Sequence, residues 1–113
     1  MDDVRHALAQ DAMQQGQFTE AEELVAAIIG DNPDDSEAHY LLAAMQLECG
    51  KFSIAHASIK ISIDKEPKNA RFRVALGQIL TQQKQYNEAE SAFETTLLID
   101  PGNGDAYTNL GAM

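Results

Sequence analysis

"LGQILTQQKQYNEAESAFETTLLIDPGN", residues 76–103, decides the fold because the same text, loosely spelled, stands twice before it. "LAAMQLECGKFSIAHASIKISIDKEPKN" at 42–69 lies under it column for column, and so does "LAQDAMQQGQFTEAEELVAAIIGDNPDD" at 8–35. Pro33, Pro67 and Pro101 are 34 residues apart, as are Ala21, Ala55 and Ala89, and as are Leu8, Leu42, Leu76 and Leu110. Three independent columns on one spacing are the mark of a stacked repeat, in which each unit buries its apolar side against the next.

Each block reads as two helices. The first covers roughly 3–15, 36–49 and 70–83, and the second roughly 19–31, 53–65 and 87–99. Gly16 and Gly50 stand at the turn between them, where a left-handed residue closes a helix; Lys84 takes that place in the third block. Thr19, Ser53 and Asn87 are expected to cap the second helix, with "TEAE" at 19–22 forming a capping box through Glu22. The prolines end that helix, and Asp35, Asn69 and Asn103, two residues on, suit the N-cap of the next.

Packing accounts for the small columns. Ala9, Ala43, Gly77 and Gly111, with Ala21, Ala55 and Ala89, allow two antiparallel helices to approach closely. Phe18, Phe52 and Tyr86, then Val25, Ile59 and Phe93, are expected to fill the space between neighbouring pairs. With 113 residues, few aromatics, no Trp and no sustained strand-like alternation, the chain reads as all-α.

These residues resemble the tetratricopeptide repeat, whose pattern is W-x₂-L-G-x₂-Y, A-x₃-F and P. Leu76-Gly77, Ala89 with Phe93, and Pro101 follow it closely. The earlier blocks place Ala9 and Ala43 for the Gly, and Val25 and Ile59 for the Phe, while Arg5, His39, Arg73 and Tyr107 occupy the Trp column. The resemblance implies a right-handed superhelical solenoid of antiparallel helix pairs over the single domain 1–113. Its repeats run 2–35, 36–69 and 70–103, with a partial fourth at 104–113. "GDAYTNLGAM" thus opens a fourth unit that leaves Tyr107 and Leu110 uncovered. Either the chain is a segment of a longer array, or this half-repeat docks on another copy in weak self-association.

The formal charge of −10 disfavours nucleic acid, which needs a cationic face. The charge is unevenly laid out. Residues 1–50 hold eleven acids against Arg5, and residues 85–113 hold five acids and no base. Between them, 51–84 carries seven bases (Lys51, Lys60, Lys65, Lys68, Arg71, Arg73, Lys84) against Asp64 and Glu66. This band is either ordinary solvated surface or a strip that steers an acidic segment of a partner. No apolar run reaches the ~18 residues of a membrane span. The lone Cys49 forms no internal disulfide, and the acidic start lacks a signal-peptide layout, so the cytoplasm is the expected compartment.

Nothing in the sequence spells catalysis. His6, His39 and His56 form no i, i+4 pair, Cys49 has no assignable partners and reads as a half-buried apolar residue, and "DNPDDSE" at 31–37 lacks calcium-loop spacing. No metal or cofactor is expected. In proteins with this resemblance the first helix of each pair lines a concave binding face. Carried onto this chain, the stripe is Asp3, His6, Gln10, Met13 and Gln14, then Glu37, Tyr40, Ala44, Leu47 and Glu48, then Arg71, Val74, Gln78, Thr81 and Gln82. The carboxylate clamp of co-chaperone relatives maps to His6, Gln10, Leu41, Arg71 and Ala75, of which only Arg71 is cationic. The Asn ladder of sugar-transferase relatives maps to Ala7, Leu41, Ala75 and Asn109, of which only Asn109 complies. What remains suits a protein or peptide partner with a few apolar anchors, held with affinity on the order of micromolar. The alternative is a docking or oligomerisation segment of a larger enzyme, such as a glycosyltransferase or sulfotransferase.

Overall fold

The computed structural model describes residues 4–112, and every element in it is an α-helix. In chain order these are α1 (Val4–Gln14), α2 (Phe18–Asp31), α3 (Ser36–Glu48), α4 (Phe52–Lys65), α5 (Ala70–Gln82), α6 (Tyr86–Ile99) and α7 (Gly104–Ala112). α1 packs on α2, α3 on α4 and α5 on α6, and each pair leans on the next. This is the right-handed superhelical solenoid of antiparallel pairs that the repeat implied.

The turn inside each pair is a Schellman closure. Gly16 N–H donates to Met13 O and Gln17 N–H to Ala12 O; Gly50 with Lys51, and Lys84 with Gln85, repeat the two bonds. Such a closure needs a left-handed residue, and φ is +77° at Gly16, +78° at Gly50 and +63° at Lys84. The third turn therefore forces a side chain into a conformation that glycine adopts without steric cost. The residue that ends this closure is already the N-cap of the following helix: Gln17, Lys51 and Gln85 hold that place, without a side-chain cap bond. The caps expected at Thr19, Ser53 and Asn87 are therefore corrected. These residues lie inside the first turn and are exposed.

The other junction behaves as the sequence suggests. Asp35 Oδ1 accepts from Ala38 N–H at 2.8 Å, Asn69 Oδ1 from Arg71 N–H at 3.0 Å, and Asn103 Oδ1 from Ala106 N–H at 2.9 Å. The Trp column stabilises the same loops. His39 Nε2 lies 2.8 Å from Pro33 O, and Arg73 Nε donates to Pro67 O at 3.2 Å.

Three apolar clusters follow one another along the stack. The first gathers Ala9, Ala21, Val25 and Ile28 with Leu41 and Met45; the second joins Ala43, Ala55 and Ile59 to Phe72 and Ile79; the third joins Val74 and Leu80 to Ala89, Phe93 and Ala106. Ala21, Ala55 and Ala89 are completely buried. The repeated Leu links units: Leu42 packs on the first cluster and Leu76 on the second and third, whereas Leu8, with no described helix before it, is 53% exposed. Leu110 is half-buried against the third cluster, so of the two residues expected to be uncovered only Tyr107 is exposed.

Gly77 shows how close a pair can come. A Cβ there would stand 2.5 Å from Phe93 Cε1, a fully buried ring of the same pair. Phe93 therefore fills the gap within its own pair as well as the space between pairs. At the matching positions of the earlier pairs stand Ala9 with Val25 and Ala43 with Ile59, each couple within one cluster, a larger small residue with a smaller large one.

Candidate functional site

The curvature is set by which helices touch. α1 meets α3, α3 meets α5 and α5 meets α7, whereas among the described residues α2, α4 and α6 make no direct contact with one another. Odd-numbered helices therefore line the inner, concave face and even-numbered helices splay on the outer one. A groove lined by odd helices follows from this packing alone.

Two recesses lie along that groove. The first, a cleft of about 260 Å³, is lined by Gln10, Met13 and Gln14 of α1, Tyr40, Leu41 and Ala44 of α3, and Arg71 of α5. The second, about 520 Å³, is lined by Leu47, Glu48, Gly50 and Phe52 with Gln78 and Gln82 of α5 and Asn109 of α7. Met13, Tyr40, Ala44 and Leu47 are neither buried nor fully exposed, which is how apolar anchors for a ligand sit.

A polar network ties the first recess together. Arg71 Nη2 donates to Glu37 Oε1 at 2.9 Å, Gln10 Nε2 donates to the same oxygen at 3.2 Å, and the Arg71 guanidinium lies 4.8 Å from the centre of the Tyr40 ring. Tyr40 in turn stacks on Phe72, with ring centres 5.2 Å apart. Partial burial by itself would lower the Arg71 pKa, but the hydrogen bond and charge of Glu37, with a smaller contribution from Tyr40, outweigh it and raise it. Arg71 is half-exposed, so the pair contributes no more than about 1 kcal/mol to stability. Beside it, His6 Nε2 lies 2.9 Å from Asp35 Oδ1, the oxygen that also caps α3.

The structure thus brings Gln10, Met13, Tyr40, Ala44 and Arg71 into one recess, with Glu37 bonded to its edge, and Leu47 and Gln78 into the next. His6 is part-buried and engaged with Asp35 at the start of the groove. Val74 is buried, 7% exposed, and belongs to the third core cluster with Ala106 of α7. Asp3 lies outside the described residues. Asn109 and Phe52, absent from the expected stripe, line the second recess. Asn109 was legible as the one polar member of the column Ala7, Leu41, Ala75, whose other members include two buried residues.

Cys49 is exposed rather than half-buried. The basic band does not form one patch. Arg71 faces the groove, Arg73 is bonded to Pro67 O, and Lys65 lies 3.3 Å from Asp34. On the outer face, His56, Lys60 and Arg73 share a cleft of about 340 Å³ with Asp64 and Glu88 over Leu76 and Leu80. No described helix is long and apolar enough to cross a membrane.

Comparison with known proteins places this geometry. Residues 14–96 match the family described as anaphase-promoting complex, cyclosome, subunit 3 (ANAPC3). The chain is 27% identical over 115 aligned residues to mouse protein O-mannosyl-transferase TMTC1, covering 98% of this chain and 12% of that protein. Among solved structures it superposes on an O-GlcNAc transferase mutant of Thermobaculum terrenum with a TM-score of 0.92 and 23% identity, over 95% of this chain and 21% of that one. It also superposes on the second TPR domain of human RPAP3, solved in complex with an HSP70 peptide, with a TM-score of 0.86 and 23% identity, over 96% of this chain and 91% of that domain. The chain spans about an eighth of the length of the curated relatives it matches.

Proposed function

The chain is a member of the ANAPC3 family of tetratricopeptide repeats, and on that premise we propose that it is a noncatalytic protein-interaction module whose concave groove holds a segment of a partner protein. One observation carries this reading. Met13, Tyr40 and Leu47 stay half-open on a continuous face whose helices are already packed against each other, along two open recesses of about 260 and 520 Å³. A solvated helix surface would put polar residues there. Gln10, Gln78, Gln82 and Asn109 supply amide groups that can bond a partner's backbone. The RPAP3 domain, similar in fold, was solved in complex with a peptide, which supports the same use of the face.

The test blocks the groove without emptying the core. Ala44→Gln places a neutral side chain into the first recess, and Leu47→Ala removes an anchor from the second. Together they should weaken partner capture by at least about tenfold, while circular dichroism keeps the parent's helical content. Binding that persists at the parent's strength in this folded double variant refutes the groove.

A second reading is favoured by the matched curated relatives, two O-mannosyl-transferases. In it the segment is the docking region of a larger glycosyltransferase whose chemistry lies outside residues 1–113. The two readings share the groove and differ in what is attached to it, so the complete open reading frame separates them.

A further inference from the structure

We propose that the groove selects an internal, cationic segment of its partner, with Lys or Arg side chains flanking an apolar anchor. The inference rests on the concave face being the binding surface and adds the sign of what it accepts.

Arg71 is the one Lys or Arg among the residues that line the two recesses. Equivalent positions at the start of α3, α5 and α7 hold Glu37, Arg71 and Asp105, one repeat apart. Arg71 already shares its charge with Glu37 at 2.9 Å and lies over the Tyr40 ring at 4.8 Å, so a partner's carboxylate would have to compete with the Glu37 carboxylate for it. Its charge is matched inside the protein. No other Lys or Arg lines either recess. Glu48 lies on the rim of the second recess, and Asp105 stands in the first turn of α7 at the position that Glu37 and Arg71 hold in their own repeats; both are exposed. An incoming carboxylate therefore meets Glu37, Glu48 and Asp105 against Arg71 alone, while an ammonium or guanidinium meets the exposed Glu48 and Asp105. The whole chain has the same bias, with a formal charge of −10, so long-range steering also favours a cation. A terminal carboxylate would find only Arg71, in competition with Glu37, so the bound segment keeps its C-terminus outside. This reverses the acidic-partner alternative suggested by the basic band of residues 51–84.

A library of random twelve-residue peptides displayed on phage, selected against the full chain, tests the idea without a known ligand. The expected pool is rich in Lys and Arg next to Leu, Met or Phe. Its synthetic members should bind about three- to tenfold more weakly when salt rises from about 50 to 300 mM, and by a similar factor in Glu48→Gln with Asp105→Asn. Glu37→Gln, which releases Arg71, should let acidic peptides in. A pool that depends on Ala44 and Leu47 yet is acidic or uncharged overturns the charge selection and leaves the groove standing. A pool indifferent to Ala44→Gln with Leu47→Ala overturns the groove itself and this inference with it, as does an empty selection.

Discussion

Replacing Gly77 by Ala sets a Cβ 2.5 Å from Phe93 Cε1 and 2.6 Å from Cζ, nearly an ångström inside normal contact. In an open helix the change would stabilise by about 1 kcal/mol, because Ala loses less backbone freedom than Gly. Here the Phe93 ring is fully buried and cannot swing away, so overpacking of roughly 1–3 kcal/mol outweighs that gain. The variant should lose up to about 2 kcal/mol. Phe93→Ile alone leaves a gap above the glycine and costs roughly 1–3 kcal/mol. The second repeat already shows the remedy, since Ala43 and Ile59 hold the matching positions there within one cluster. Adding Gly77→Ala to Phe93→Ile should therefore stabilise by about 1 kcal/mol, so that one substitution changes sign with its background. Urea unfolding of the four proteins, followed by far-UV circular dichroism, measures the coupling. If Gly77→Ala moves stability in the same direction with Phe93 and with Ile, the close-approach reasoning is wrong.

Other outcomes can be checked the same way. Lys84→Gly should stabilise by up to about 1 kcal/mol, because the residue sits at φ +63°, while Gly50→Ala should destabilise by a similar amount. Asp35→Ala removes both the cap of α3 and the partner of His6 and should cost about 1–2 kcal/mol; Asp35→Asn should keep most of it, since Asn69 and Asn103 cap with the same amide oxygen. Ala55→Leu, at a completely buried position facing the neighbouring helices, should cost roughly 1–3 kcal/mol.

Much of the architecture was legible because the repeat supplies its own alignment. Pro33, Pro67 and Pro101 place the ends of the even helices, and the carboxamide or carboxylate two residues later places the start of the next pair. Even the Gly77–Phe93 approach is written in the columns, as a smaller residue on one helix opposite a larger one on the other. The caps at Thr19, Ser53 and Asn87 misled because the closure of the preceding helix uses the same residues that begin the next, which leaves no room for a separate cap. Of the site, the Glu37–Arg71 pair could have been found, being opposite charges one repeat apart on the same column. Val74 could not be told from Tyr40 by periodicity. Both hold the same register, but the short Val is covered by α7, whereas the longer Tyr stacks on Phe72 and keeps an open edge. Long-range cover of this kind depends on the neighbouring unit rather than on local pattern.

Among the described residues the even helices pack on the odd helix of the next pair and not closely on one another, which has a mechanical consequence. Each joint between pairs combines the seam of odd helices with the packing of an even helix on the next odd one, and both are slighter than the packing within a pair. Bending there changes the width of the wedge between α4 and α6 without breaking a helix pair. A change of curvature is therefore expected to be taken up at the joints before any pair comes apart. The molecule can tighten around a slim segment or relax around a bulky one, and the cost of adjusting is shared among its joints.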